Sequence, residues 1–336
     1  MLGFRRYAIG VELTDSVFKL VELKKGFRRL QLSQYVIHPL LPIWMGERSI
    51  IDPDELIQSI QDVLSTQRLH TRQVRVALGH RHVVTGRWHL PEMGAGRMRR
   101  WIEKKVLPEW DLPFDDPVFD FQVIGHVWQD GDRQEVVVAV SSRRYVEELA
   151  EVLRWCGLEL VAVDLSALSL NRWFEYSFAE AIRKWGMLHL THSGVDVSLF
   201  NQGVLQGATF IPLELKLFLE GVPDRPSIDP LQPLLKDESQ RQKYGKALLK
   251  AMRPDQLGWI GGELWKPDRE WVLSGEGIDI HQLSSWLQSQ DGIPPIHVAE
   301  GPQALMTGDL QLHSSNHLGN ALSAPLGAAL TGVGIT

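Results

Sequence analysis

A chain of 336 residues, 44% hydrophobic and 23% charged, is long enough for two core-bearing domains and too apolar for disorder to be its default state. Its 35 basic and 41 acidic residues give a formal charge of −6, which excludes a global basic field for nucleic acid or anionic lipid and leaves only local patches. The longest apolar runs, such as Val136 to Val140, are strand-sized, whereas a bilayer-spanning helix needs about 20 apolar residues. Arg5 and Arg6 are succeeded by a segment that Glu12 and Asp15 interrupt, leaving no signal-peptide core, and a lone cysteine, Cys156, rules out an internal disulfide and suits a reducing compartment. These features predict a soluble cytoplasmic protein.

In chain order, Tyr7 to Leu23 reads as a β-hairpin, with two apolar, β-branched runs around the polar turn Thr14-Asp15-Ser16. Leu30 to Pro39 is a third strand. Asp52-Pro53-Asp54-Glu55 is a helix start, and Leu56, Ile60, Val63 and Leu64 supply that helix with one apolar face. Gln73 to Gly79 is a buried strand. From Val83 the pattern becomes a block of its own: strand VVTGRWHL, a helix from Ala95 to Val106, strands at Val118 to Val127 and Glu135 to Ser141, a helix at Arg144 to Cys156 closed by Gly157, and a strand at Leu158 to Val163. A helix from Ser166 to Lys184 comes next.

Met187 to Phe200 then repeats the opening hairpin, so that Glu12-Leu13-Thr14-x-Ser16 corresponds to His189-Leu190-Thr191-x-Ser193 at an offset of 177 positions. Such a repeat is far longer than a solenoid period and predicts two similar halves with their hairpins facing across a cleft. Val204 to Ile211 is a further strand. Pro212 to Pro267 is mainly helical, with a proline-rich looped stretch at Val222 to Pro233 and a helix at Glu238 to Met252. Trp271 to Gly277 is a strand running into a turn. Leu283, Trp286 and Leu287 mark one face of the next helix, Pro294 to Val298 is a short strand, and Leu318 to Gly332 is a closing helix packed against the cleft.

This order of elements, with IGVELTDSVFKLVEL at 9–23, HLPEMGAGRMRRWIEKKVLPEWDLPFDDPVFDFQVIG at 89–125, GLELVAVDLSALSL at 157–170 and VLSGEG at 272–277, resembles the PilM-type pilus assembly proteins of the actin-like ATPase superfamily. The resemblance implies a duplicated actin-like (RNase H-like) α/β fold related to the cell-division protein FtsA. Its first half would comprise 1–82 and 164–184, an inserted α/β subdomain 83–163, the second half 185–212 and 268–336, and a small helical subdomain 213–267. It also implies a cytoplasmic scaffold at the inner face of the membrane, serving a type IV pilus or a related secretion or DNA-uptake system. That scaffold would hold the N-terminal tail of a PilN-like single-span membrane protein in a groove involving the first half and its insertion. Members of the family bind ATP between the halves, which places the nucleotide cleft at Glu12, Thr14, Ser16, Lys19, Thr191, Ser193, Gly275 and Gly277.

Chemistry weakens the nucleotide expectation. A phosphate-binding hairpin needs glycine for close backbone approach, hydroxyl or amide donors, and an aspartate for hydrated Mg²⁺. The first hairpin keeps an acid, Glu12, but no glycine; the second loses both at His189 to Ser193; the adenosine-side Ser-Gly-Gly-Gly becomes Ser274-Gly275-Glu276-Gly277. Asp15 adds a negative charge where phosphate would sit. The prediction is a pseudo-ATPase with weak or absent ATP binding. The alternative is an ATP-switched ATPase using Ser16, Lys19, Ser193, Gly275 and Gly277. A small-molecule kinase would need a catalytic base, and none stands out.

Other constellations are predicted to be structural. His80, His82, His189 and His192 lack decisive metal spacing, Ser166 and Ser169 sit in no nucleophile elbow, and Cys156 is a small core residue. Met98, Ile102 and Val106 form a buried stripe beneath Arg97, Arg99, Arg100, Lys104 and Lys105, a solvated basic face or a dock for anionic headgroups. Of twelve tryptophans, Trp88, Trp128 and Trp271 fall in strands and are core. Trp44, Arg100, Trp101 and Trp110 are the candidates for partner contact.

Overall fold

The computed structural model describes residues 6–27, 29–46, 49–127, 133–178, 183–219, 232–257, 260, 262, 266, 268–306 and 318–335. The opening hairpin, β1 (Tyr7–Leu13) and β2 (Val17–Lys25), continues into β3 (Leu30–Pro39) as an antiparallel meander. Helix α1 (Pro53–Ser65) begins where Asp52 accepts the Glu55 N–H and Pro53 occupies the first turn, and it buries Leu56, Ile60 and Leu64. It leads to β4 (Gln73–Leu78), which lies parallel to β1.

The next unit is an antiparallel sheet of β5 (Val83–Pro91), β6 (Pro117–Val127) and β7 (Arg133–Ser142), with β7 central. Helix α2 (Ala95–Trp101) extends through a π-turn at Ile102–Val106, and Met98, Ile102 and Val106 pack under this sheet as the periodicity predicts, leaving the basic residues exposed. Helix α3 (Arg143–Trp155) is capped by Ser142, whose side chain accepts the Tyr145 N–H. It leads to β8 (Glu159–Leu165).

Here the structure corrects the expected inserted block 83–163. Strand β8 pairs in parallel with β4 and is the edge of the first sheet, ordered β3-β2-β1-β4-β8. Tyr145, Leu149, Val152, Leu153 and Cys156 pack into that sheet's core with α1. The sequence is ambiguous because α3 and β8 succeed the insertion without a break, and pairing partners are not encoded locally.

The second sheet has the same topology. It comprises β9 (Lys184–Leu190), β10 (Gly194–Asn201), β11 (Val204–Pro212), β12 (Glu270–Gly275) and β13 (Ile296–Val298), in the order β11-β10-β9-β12-β13. Again three antiparallel strands are joined by two parallel ones. Its outer face is covered by α5 (Glu238–Ala251) and α6 (Ile280–Gln288), through Tyr244, Leu248, Leu283 and Leu287. Trp128 and most of the stretch 222–233 lie outside the described residues.

Between the two sheets lie α4 (Ser166–Ser177) and the C-terminal α7 (Leu318–Ala321) and α8 (Ser323–Gly332). The helix expected to reach Lys184 ends at Ser177, and Lys184 opens β9. Ala167, Leu170 and Phe174 of α4 pack on the second sheet with Met187, Phe200 and Val272. Leu322, Leu326, Ala329 and Leu330 pack against Val21, Leu23 and Leu32 of the first. The tail assigned with the second half therefore completes the first. Gly10 permits this, since a Cβ on it would stand 1.9 Å from the Pro325 carbonyl oxygen.

Candidate functional site

The two hairpins face each other across the space between the sheets, with Glu12 of one against His189 of the other, and each turn ties itself with the same local bonds. The Thr14 N–H donates to the Val17 carbonyl at 3.0 Å, and the Thr191 N–H donates to Gly194 at 2.8 Å. The Thr14 hydroxyl likewise donates to Val17 and the Thr191 hydroxyl to Gly194. Ser16 donates to Asp15, and Ser193 stands 3.3 Å from Thr191 Oγ1. The hydroxyls expected to donate to phosphate are thus engaged inside their own turns. Asp15 is bound at 2.8 Å by Arg81.

Behind the turns lies a buried ionic chain. Glu12 and Lys19 face each other across the β1–β2 pair, and Lys19 Nζ donates to Glu12 Oε2 at 2.8 Å. The same ammonium contacts Glu276 Oε2, from the turn after β12. The other Glu12 oxygen lies 2.9 Å from His189 Nε2, and His189 Nδ1 lies 2.8 Å from Ser274 Oγ. Glu12, Lys19, His189, Ser274 and Glu276 are each at most 4% exposed. Gly275 delivers Glu276: its φ of 116° is a left-handed value that turns the chain directly after β12. At the outer end, Glu276 Oε1 and His192 Nδ1 are 3.6 Å apart.

Electrostatics match this geometry. Burial opposes ionisation of Glu12, but Lys19 and His189 outweigh it and hold the carboxyl at about 2. Glu276 is likewise lowered, against burial, by Lys19 and His192. Burial works against the charge on Lys19, yet the two carboxylates raise its pKa above the ordinary lysine value. A second buried cluster runs beside the first. Asp196 accepts the His80 backbone N–H at 3.1 Å and the Ser166 hydroxyl at 2.9 Å, and these groups lower its pKa against burial.

The residues present do not fit a nucleotide phosphate. The buried ammonium of the cleft, Lys19, is already neutralised by two carboxylates, and a third negative group beside them would meet uncompensated repulsion in a dry site. Among the described residues no group of three or more His, Cys, Asp or Glu is placed to hold a metal ion. Ser166 is fully buried and donates to Asp196, so its proximity to His80 creates no nucleophile.

The partner candidates separate. Trp44, expected to face a partner, is 9% exposed and belongs to the first sheet's core, because the 3-10 turn Pro42–Trp44 folds it inward. Trp110 is half-buried, packs edge-on against Trp88 and lines a concavity of about 830 Å³ with Glu103, Glu109 and Asp111. Trp101 is 40% exposed, and Arg100 is exposed with its guanidinium on the Gly96 carbonyl.

Sequence reasoning missed the apolar groove between β6 and β8, each the edge of its own sheet. The groove encloses about 280 Å³ and is lined by Val118, Phe121, Val137, Val163, Leu165 and Leu168. Val161 and Val163 leave an apolar sheet edge open beside it. The signal was present in ELVAVDL, an apolar strand whose burial is incomplete.

A family model described as type IV pilus assembly protein PilM matches residues 10–184. Among solved structures, the PilM-PilN type IV pilus biogenesis complex is 24% identical over 97% of this chain and 98% of that one, with a TM-score of 0.76. The ethanolamine utilization protein EutJ from Carboxydothermus hydrogenoformans is 13% identical over 97% of this chain and 90% of its own, TM-score 0.52. A diol dehydratase-reactivating factor in nucleotide-free form is 8% identical over 98% and 100%, TM-score 0.51. These structures share the fold with this chain. The family match carries the assignment: the chain belongs to the PilM family of type IV pilus assembly proteins.

Proposed function

We propose that this protein is a cytoplasmic adaptor of a pilus or related inner-membrane platform. It would bind the N-terminal tail of a PilN-like membrane protein, with ATP binding weak or absent and no enzymatic turnover. The observation that carries this reading is the open apolar groove between two sheet edges, β6 and β8, beside which no further strand is paired among the described residues. An extended peptide laid there can pair its backbone with β8 and seat alternate side chains in the groove, a recognition mode that needs no catalytic group. The shared fold of a PilM-PilN complex supports the choice of partner.

On this reading the architecture is a duplicated actin-like fold. Its two halves surround the cleft, the inserted subdomain is the β5-β7-β6 sheet, and a small helical subdomain sits around 213–267. Glu12, Thr14, Ser16, Lys19, Thr191, Ser193, Gly275 and Gly277 then line a degenerate nucleotide cleft.

Calorimetric titration with a synthetic PilN-like tail peptide tests the proposal. The native protein should bind, and Val163→Glu, which sets a charge in the apolar groove at a partly exposed position, should weaken binding by on the order of tenfold or more. Binding unaltered by Val163→Glu would remove the groove from the account. Micromolar Mg-ATP affinity would remove the pseudo-ATPase half.

A further inference from the structure

Lys19 is buried in the cleft, and its anionic partner on the far side comes from the protein itself. We propose that the Glu276 carboxylate is a built-in counter-anion for Lys19, closing the cleft where a bound phosphate would otherwise bridge the halves. Lys19 rises from the first sheet, between Glu12 on its own hairpin and Glu276 on the turn after β12 of the second. The ammonium therefore joins the halves in the way a cation–phosphate contact would, without a ligand. Two further contacts cross the same gap, His189 to Glu12 and Asp196 to the His80 N–H, so the charges on each side are matched by partners on the other.

The position of Glu276 is specific to this role. Glycines at 275 and 277, both at positive φ, flank Glu276 and turn the backbone so that its side chain enters the interior, where it is 4% exposed. An ionised carboxylate so deep is retained only where a cation is fixed to meet it. Removing it leaves Lys19 with a single carboxylate and an unfilled volume of carboxylate size facing the turns. The site exposed by that change would accept a small polyphosphate.

This inference rests on the adaptor reading but uses no partner peptide, so failure of the groove and failure of the counter-anion are separately visible. The experiment measures amide hydrogen exchange and thermal unfolding of the full chain, native and Glu276→Ala, each alone and with millimolar pyrophosphate or Mg-ATP. The native protein should show no change with either anion. Glu276→Ala should exchange faster by on the order of tenfold or more in the 13–17 turn and the 274–278 turn, relative to α6, and pyrophosphate should reverse this.

Glu276→Gln, which keeps size and hydrogen-bonding capacity, is the second variant if Glu276→Ala does not fold. It should show the same selective acceleration. Stabilisation of the native protein by pyrophosphate or Mg-ATP would overturn the proposal, and so would variants whose cleft turns stay as protected as in the native chain. An acceleration spread evenly over both sheets would also overturn it, because that is the signature of general destabilisation.

Discussion

Glu12 and His189 stand at equivalent positions of the duplicated hairpins, and in the folded protein they touch, Oε1 to Nε2 at 2.9 Å. Their contact explains why one copy keeps an acid and the other replaces it with a histidine: two carboxylates at that spacing would repel in a dry site. The carboxylates of this network face Lys19, His189 and His192, and that of Asp196 faces His80 and Ser166. Glu12, Glu276 and Asp196 all have folded pKa values below their ordinary ones. As pH falls below about 5, the unfolded chain takes up protons that the folded chain refuses. The stabilisation from these groups is present above their ordinary values and is lost as pH falls toward the folded ones. Urea unfolding should therefore show a steep loss of stability between about pH 5 and about pH 3, shallower in Glu276→Gln, and a flat profile would contradict the assignment. Lys19 contributes in the opposite direction. Its raised pKa adds stability that is present below the ordinary lysine value and lost as pH rises through the folded one.

Among the elements, α8 is unusual in being buried on every side, from Ser323 to Leu330. Its sequence, SAPLGAALTG, has small residues where it approaches β1 and α4, and this sets how closely the two sheets can sandwich their helices. Gly10 is the critical contact, because a side chain there meets helix backbone that cannot rotate away. Gly10→Val is expected to cost about 3 kcal/mol or more by overpacking, read as a lowered denaturation midpoint with cleft residues intact. A variant as stable as the native protein would show that α8 can shift.

For the molecule as a whole, two of the helices between the sheets bind them together: α4 comes after the first sheet in sequence and packs most of its apolar residues on the second, while α8 comes after the second and covers the first with Leu326, Ala329 and Leu330. The sheets are consequently not separable by cutting the chain between them. Removing residues 322–336 should leave Val21, Leu23 and Leu32 uncovered and unfold the first half, although no residue of its sheet is deleted. Circular dichroism and gel filtration of the truncated protein would report this. A truncated chain that stays monomeric with native ellipticity would show the first sheet to be independent.

Sequence alone determined the element types and the recurrence of the hairpin, because hairpins, caps and amphipathic stripes are encoded by neighbouring residues. Asp52 and Pro53 start α1, and the stripe of Met98, Ile102 and Val106 fixes the buried face of α2 and its π-turn. It also showed hairpin turns without the glycines that close phosphate approach needs, and a Glu276 between two glycines, both legible without coordinates. Tertiary structure alone decided what the replacements do. The pairing of β8 with β4, the inward turn of Trp44, the groove between two sheet edges and the bridge from Glu12 through Lys19 to Glu276 each join residues far apart in the chain. Local propensity carries no information about such contacts. They are set by which apolar faces must be covered and which buried charges must find a partner.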